Sequence, residues 1–294
     1  LLGIPHLLVA VNKMDLVDWS KEVFEKIVED YTAFSEKLNV HDITFIPVSA
    51  LTGDNVVEPS TNMPWYQGET VLRHLETVTI AADRNLVDFR FPVQYVIRPH
   101  LDFRGYAGRI SSGTIRPGEE VMALPSGMQS TVKEIVTADG NLDEAADQQS
   151  VTLTLTDELD ISRGDMIVRK NNLPTVDTRF DATLCWMDDE KTLSTVNHYL
   201  LQQTTRLVSA HVRELVHCID VNTLHRDTTK TTMQLNEIGR VQIETSSPLF
   251  FDSYDRNRET GGFVLIDPST NRTVAAGMIR GRTEAYEAPG RPHE

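Results

Sequence analysis

Leu7-Leu8-Val9-Ala10-Val11 runs directly into Asn12-Lys13-Met14-Asp15, and this stretch decides how the chain around it is read. An unbroken apolar run with β-branched Val9 and Val11 predicts a short parallel strand buried on both faces. The polar tetrad then falls at the strand's C-terminal edge, where sheets of this kind receive their ligands.

After Asp18 and Ser20, both able to cap a helix, Val23, Ile27, Val28, Tyr31, Phe34 and Leu38 recur at helical spacing. Glu and Lys take the opposite face, so the spacing predicts an amphipathic helix from Val23 to Leu38 that covers a sheet. Thr44 to Val48 predicts a second buried strand with Pro47 near its end, and Ser49-Ala50-Leu51 follows at its C-terminal edge. Strand, helix, strand implies a right-handed crossover, which brings Asn12, Asp15 and Ser49 to one place. Thr52 to Gly68 has the Asn, Pro and Gly of a loop. Thr70 to Ala81 predicts a last short helix with Val71, Leu72, Leu75 and Val78 inward.

Near Asp83 the period changes. Gly105, Gly108, Gly113, Pro117-Gly118, Ser126-Gly127, Asp139-Gly140 and Gly164 punctuate short alternating runs, the spacing of a barrel or sandwich. A second β-rich block starts near Arg179, with runs at Ala182 to Trp186, Thr205 to Asp220, Gly239 to Leu249 and Gly262 to Ile279. The boundary between the blocks falls at Leu173 to Asp177.

Composition excludes little but is consistent with this layout. A chain of 294 residues is long enough for two or three domains, each with its own core. The formal charge of −15 gives a field that repels phosphate backbones, so broad nucleic-acid binding is not expected; a mononucleotide held in a small pocket remains compatible. Two cysteines, Cys185 and Cys218, build neither a zinc site nor a disulfide framework, which points to a reducing cytoplasm. The apolar start has no basic flank or cleavage site and is too short to span a bilayer, so neither a secretory signal nor a membrane anchor is expected. The first residue is Leu, already close to the apolar run, and the expectation is that the natural N-terminus lies upstream.

Asn12-Lys13-Met14-Asp15 matches N-K-x-D, whose residue types suit guanine. A carboxylate at Asp15 can accept two bonds, from the ring N1–H and the exocyclic amine, a pair that adenine does not offer. An Asn amide can bond the base edge and tether neighbouring loops, while the aliphatic stem of Lys13 can lie on the purine plane. The bland alternative is a polar turn after a strand. Ser49-Ala50-Leu51 at the end of the next strand weighs toward base recognition, because backbone N–H groups there can bind the guanine carbonyl oxygen.

Four further stretches carry a family likeness: Leu16-Val17-Asp18-Trp19 after the tetrad, Thr52-Gly53-Asp54-Asn55-Val56, Met63-Pro64-Trp65-Tyr66-Gln67-Gly68, and Phe91-Pro92-Val93-Gln94-Tyr95-Val96. Leu101-Asp102-Phe103-Arg104-Gly105-Tyr106-Ala107-Gly108, Ile161-Ser162-Arg163-Gly164-Asp165 and Asn257-Arg258-Glu259-Thr260-Gly261-Gly262-Phe263 extend it. With them the chain resembles the elongation-factor Tu class of translational GTPases, and within that class the large-subunit family of bacterial sulfate adenylyltransferase. The resemblance implies an α/β remnant of a P-loop GTPase domain followed by two all-β barrel domains. Its divisions are residues 1–83, 84–175 and 176–285, with a tail at 286–294.

The same resemblance implies an enzyme subunit that binds and hydrolyses GTP and couples it to adenylyl transfer from ATP to sulfate. A separate small catalytic subunit would be its partner, forming a heterodimer in the cytoplasm. Asn12, Lys13, Asp15, Ser49, Ala50 and Leu51 would bind the guanine, and no residue of this chain would carry the chemical step. The family also has, upstream of N-K-x-D, a phosphate loop ending in Gly-Lys-Ser/Thr, a switch Thr and a D-x-x-G segment for Mg²⁺, and none of them stands in that place in this sequence. Mg²⁺ is therefore expected only with an upstream half, and the chain alone is expected to be inactive. Around Thr195 to Gln203 the family's Pro/Gly turn and basic residue are also missing. An elongation-factor-like fragment binding aminoacyl-tRNA is the alternative function.

Three remaining clusters read as structural first. His211, His217, Cys218 and His225 match no closed zinc spacing and are expected to be isolated strand residues. Asp188-Asp189 reads as a charged turn, and Arg104-Gly105-Tyr106 as a hairpin tip or tight bend first and a partner contact second.

Overall fold

The computed structural model describes residues 4, 6–35, 42–78, 85–100, 103–221 and 223–283. The chain divides into two compact units, Leu1–Arg84 and Asn85–Glu294.

In the first unit β1 (His6–Val11) pairs in parallel with β2 (Asp42–Pro47), the register running from His6 opposite Asp42 to Val11 opposite Pro47. A short 3-10 turn (Met14–Val17) and α1 (Lys21–Ser35) connect them, and α2 (Val71–Thr77) follows the long loop. Thr70 caps α2 by accepting a hydrogen bond from Arg73 N–H, which satisfies one of the donors a helix start leaves open.

Burial in this unit departs from the periodicity. Leu7, Leu8 and Val9 are only half-buried and Ala10 is exposed, so β1 is not covered on both faces. On α1, Val23, Ile27, Tyr31 and Phe34 are exposed while Phe24 is buried; Leu38 lies outside the described residues. On α2, Leu72 and Leu75 are exposed, and the expected continuation to Ala81 lies largely outside the described residues. The cause is physical: a two-stranded sheet offers too little surface to cover two amphipathic helices. The core that does form is a small cluster of Val11, Met14, Phe24 and Met63 with Trp19, Trp65 and Tyr66 packed against it.

The second unit contains two barrels. The first runs through β3 (Arg90–Ile97), β4 (Gly105–Arg109), β5 (Thr114–Ile115), β6 (Glu120–Leu124), β7 (Met128–Thr137), β8 (Gly140–Leu142), β9 (Ala145–Ala146), β10 (Ser150–Leu155) and β11 (Met166–Arg169). Its sheet order β10-β4-β3-β11-β6-β7 closes through a β10–β7 pairing, which removes free edges. Phe89, Phe91, Tyr106, Ile135, Leu153 and Ile167 fill the interior. Arg104-Gly105-Tyr106 is not a hairpin tip. Gly105 and Tyr106 begin β4, and both Arg104 Nη1 and Tyr106 Oη donate to the Leu159 carbonyl at 2.7 Å, which turns the segment inward.

The second barrel comprises β12 (Thr175–Trp186), β13 (His198–Gln203), β14 (Arg206–Ile219), β15 (Arg226–Asp227), β16 (Ile238–Phe251), β17 (Gly262–Ile266) and β18 (Thr273–Arg282), with the one-turn α3 (Arg258–Gly261) before β17. The order β13-β17-β18-β12-β16-β14 closes through β13–β14. The apolar run from Gly262 to Ile279 is two antiparallel strands rather than one. The stretch from Thr195 to Gln203, where the family turn is missing, ends in β13, which Thr204-Thr205 alone joins to β14, with Thr204 at φ 48, a left-handed conformation uncommon for a β-branched residue.

The seam between the barrels combines an apolar patch of Leu124, Met166, Val168 and Phe250 with a buried polar network. Arg90, fully buried, donates from Nε and Nη2 to the two oxygens of Asp252 at 2.8 and 2.9 Å, and from Nη1 to the Phe89 and Asn172 carbonyls. Beside it Arg256 donates twice to Asp88, both at 2.7 Å, and Asn257 Nδ2 donates to Ser112 Oγ at 2.8 Å. The charges of Arg90, Asp252 and Asp88 are each met by such bonds, the condition under which charge is tolerated in an interior.

Candidate functional site

The loops that follow β1 and β2 are hydrogen-bonded to each other. Val48 N–H donates to the Val11 carbonyl at 2.9 Å and Met14 N–H to the Val48 carbonyl at 3.2 Å, so the ladder continues past the strand ends. Lys13 then takes a left-handed conformation, φ 66, which turns the chain sharply and seats Met14 in the core. Asn12 Oδ1 accepts from Lys13 N–H at 2.7 Å and from Ala50 N–H at 3.0 Å, tying the two loops together. Ser49 Oγ donates to Asp15 Oδ1 at 2.7 Å and accepts from Thr52 N–H at 3.3 Å.

Four of the six residues singled out by sequence, Asn12, Asp15, Ser49 and Ala50, are thus joined by direct bonds. Lys13 and Leu51 flank them and are exposed, Leu51 at 86%. The arrangement presents a half-buried carboxylate, steadied by a hydroxyl, between an exposed lysine stem and an exposed backbone turn. Such a set can hold a flat, donor-bearing ring by its edge.

Sequence reasoning assigned no role to Asp54, which organises the second loop. Its carboxylate accepts from Thr52 Oγ1 and Ser60 Oγ at 2.5 Å each, Trp19 Nε1 at 3.0 Å and Asn62 Nδ2 at 3.2 Å. Its own carbonyl accepts from Ser49 N–H at 3.2 Å, and Gly53, at φ +84, makes the intervening tight turn. Burial pushes the Asp54 carboxyl up, and these side-chain donors more than reverse it, holding the group below its usual range. Asn55 completes the loop, donating to the Pro47 carbonyl at 2.9 Å and accepting from Ser60 N–H at 2.8 Å. The available signal was an acid and an amide directly after a Thr-Gly pair in a polar loop, a pattern of side chains folding back on their own backbone.

The other clusters behave structurally. His211 lies 3.9 Å from Glu244 and stacks edge-on with His198, and among the described residues no three His, Cys, Asp or Glu are grouped to hold a metal. Asp188 accepts from the backbone of Glu190 and Lys191 at 2.8 Å each, making a turn. A cleft of about 530 Å³ in the second barrel is lined by Cys218, His225, Arg226, Lys230 and Glu237, far in sequence from these loops. Its Lys230 and Glu237 pair with each other, and burial pushes the Cys218 thiol up, away from reactivity.

Comparison with known proteins follows this geometry. Residues 179–280 match the family described as GTP-eEF1A C-terminal domain-like. The chain is 52% identical over 284 residues to sulfate adenylyltransferase subunit 1 of Bacteroides fragilis, covering 97% of this chain and 59% of that protein. It is also 52% identical over 283 residues to the bifunctional enzyme CysN/CysC of Mycobacterium tuberculosis, covering 95% of this chain and 46% of that one. The chain therefore spans about half the length of the curated relatives it matches. Among solved structures, sup35 complexed with GDP superposes with a TM-score of 0.63 over 96% of this chain and 71% of that one. At 24% identity this likeness speaks for the fold alone. On half-identity sustained across almost its whole length, the chain is a homologue of sulfate adenylyltransferase subunit 1.

Proposed function

We propose that this chain supplies guanine selectivity and a partner-docking body to a GTP-binding large subunit that assists sulfate activation. In that role the first unit is the base-reading end of a P-loop GTPase domain. The complete subunit couples GTP hydrolysis to the reaction of ATP and sulfate that yields adenosine 5′-phosphosulfate and diphosphate. A separate small subunit in the cytoplasm carries the adenylyl transfer. The observation behind this is the bonded set Asn12–Ala50 and Ser49–Asp15, which holds a carboxylate at the ends of two parallel strands.

Asp15 accepts from the guanine N1–H and exocyclic amine, the Ala50 and Leu51 backbone faces the carbonyl oxygen, and Lys13 lies along the ring. Phosphate binding, Mg²⁺ and stabilisation of the transferring phosphoryl group need a phosphate loop, and none of these residues provides one. The chain alone is accordingly expected to leave GTP unhydrolysed.

The base assignment is tested by Asp15→Asn in a version of the protein that carries a phosphate loop. An amide donates where the guanine amine also donates, so GTP affinity should fall by about 2–4 kcal/mol and xanthosine triphosphate should gain. Unchanged GTP affinity with no gain for xanthosine triphosphate removes the assignment. Capture of aminoacyl-tRNA in place of the small sulfate adenylyltransferase subunit would instead support an elongation-factor-like role. The net charge of −15 weighs against that outcome.

A further inference from the structure

We infer that Asp54 is a positioning residue for base recognition, clamping the two loops at the spacing that guanine requires; this rests on the reading of Asn12 to Asp15 as the base site. The case is geometric. Trp19 belongs to the first loop: its N–H donates to the Met14 carbonyl at 2.8 Å, inside the tetrad itself. Its indole reaches across to the Asp54 carboxylate at 3.0 Å. The same carboxylate holds Thr52, Ser60 and Asn62 of the second loop, while the Asp54 carbonyl fixes Ser49 N–H. One side chain thereby joins the loop bearing Asp15 to the loop bearing Ala50 and Leu51.

Asp54 is 8% exposed, and the four donors that bond its carboxylate are all neutral: two hydroxyls, an indole and an amide. A buried carboxylate is expensive unless hydrogen-bonded, so the four donors are drawn to it together. The Trp19 ring is packed with Trp65 and Phe24, and Trp65 Nε1 donates to the Trp19 carbonyl at 3.0 Å. The clamp is therefore anchored in the core of the unit on one side and in the turn on the other. Removing it leaves the Ser49–Asp15 and Asn12–Ala50 bonds in place but releases Thr52 and frees the turn from Leu51 onward to drift.

The test uses the chain as it stands, with ligand-detected NMR for GMP, IMP and AMP and the indole N–H signals of Trp19, Trp65 and Trp186 as internal reporters. The unaltered chain should prefer GMP to AMP. In Asp54→Ala, GMP and IMP should weaken alike, by about fivefold, because both bases share the carbonyl oxygen that the displaced turn addresses. The Trp19 indole signal should move while those of Trp65 and Trp186 stay. Asp15→Ala should instead erase the preference for GMP over IMP, since IMP lacks the exocyclic amine.

If Asp54→Ala frees the Trp19 indole yet keeps GMP affinity, the inference is overturned while the base site stands. If the unaltered chain shows no preference for GMP over AMP, the base-site reading fails and the inference falls with it. Should Asp54→Ala unfold the first unit, Trp19→Phe decides, because it removes a single donor. A loss of about twofold for both GMP and IMP supports the clamp, and unchanged affinities overturn it.

Discussion

Three buried carboxylates organise this protein by two different means. In the first unit Asp54 collects neutral donors around a loop, whereas in the second Asp252 and Asp88 are gripped by the guanidinium groups of Arg90 and Arg256. A hub of neutral donors loses about one hydrogen bond's worth of stability per donor removed, because the remaining donors still meet the carboxylate's charge. The guanidinium hubs have no such latitude. Breaking Arg90 from Asp252 strands a fully desolvated carboxylate, so the two barrels are held as one body. The same chain thus combines a loop that can be adjusted with a seam that cannot.

The sharpest challenge to this contrast is Arg90→Ala. With Asp252 left buried and its charge unanswered, the second unit should lose about 3–5 kcal/mol. Thermal unfolding followed on the Trp186 indole should show it, with the Trp19 and Trp65 signals of the first unit unmoved. A loss below about 1 kcal/mol would mean that water reaches the seam and that the neutral and guanidinium hubs do not differ in kind.

A smaller effect is expected at Asn257, which caps α3 by accepting from Glu259 and Thr260 N–H and donates to Ser112 in the other barrel. Asn257→Ala should cost about 1–2 kcal/mol, the range of a lost cap with an added hydrogen bond. Denaturant unfolding with an unchanged m-value checks that the loss is local rather than a loosening of both barrels.

The effect most diagnostic in acid concerns Asp88. Burial pushes its carboxyl up, but hydrogen bonds from Arg256, Asn85 and Asn172 overcome this and hold it far below the usual range. A carboxyl depressed in the folded state contributes stability that is complete above its unfolded value, about 3.9, and is lost as pH falls toward the folded value. The Asp88 contribution should therefore be constant between about pH 5 and 8 and fade below about 4. Asp88→Asn should flatten that acid limb in melts followed at Trp186. Asp54 has the same sign, so the limb seen at Trp19 should survive the substitution.

The two bonded loops of the candidate site were legible early because their residues are near neighbours in sequence at the ends of apolar runs. Asn12 to Asp15 and Ser49 to Leu51 needed only the strand-helix-strand crossover to be brought together, and the β1–β2 register does so. The barrels were legible through alternation and glycine punctuation, although the Gly262–Ile279 run hid a turn at residues 267–272, and Gly105 read as a bend begins a strand. The helix faces misled, because periodicity reports which residues are apolar together and not whether a neighbour exists to cover them. Val23, Ile27, Leu72 and Leu75 keep the right spacing and lie exposed.

Sequence by itself determined the order of elements, the barrel character of the second unit and the residues gathered at the ends of the first two strands. Each of these follows from local periodicity and turn chemistry, which act over a few residues. Only the tertiary structure decided that Arg90 meets Asp252, 162 residues away, that Arg256 meets Asp88, and that Trp19 reaches Asp54. An arginine or aspartate carries no mark of its partner along the chain. Burial makes the pairing obligatory, and burial exists only once the fold has closed around it.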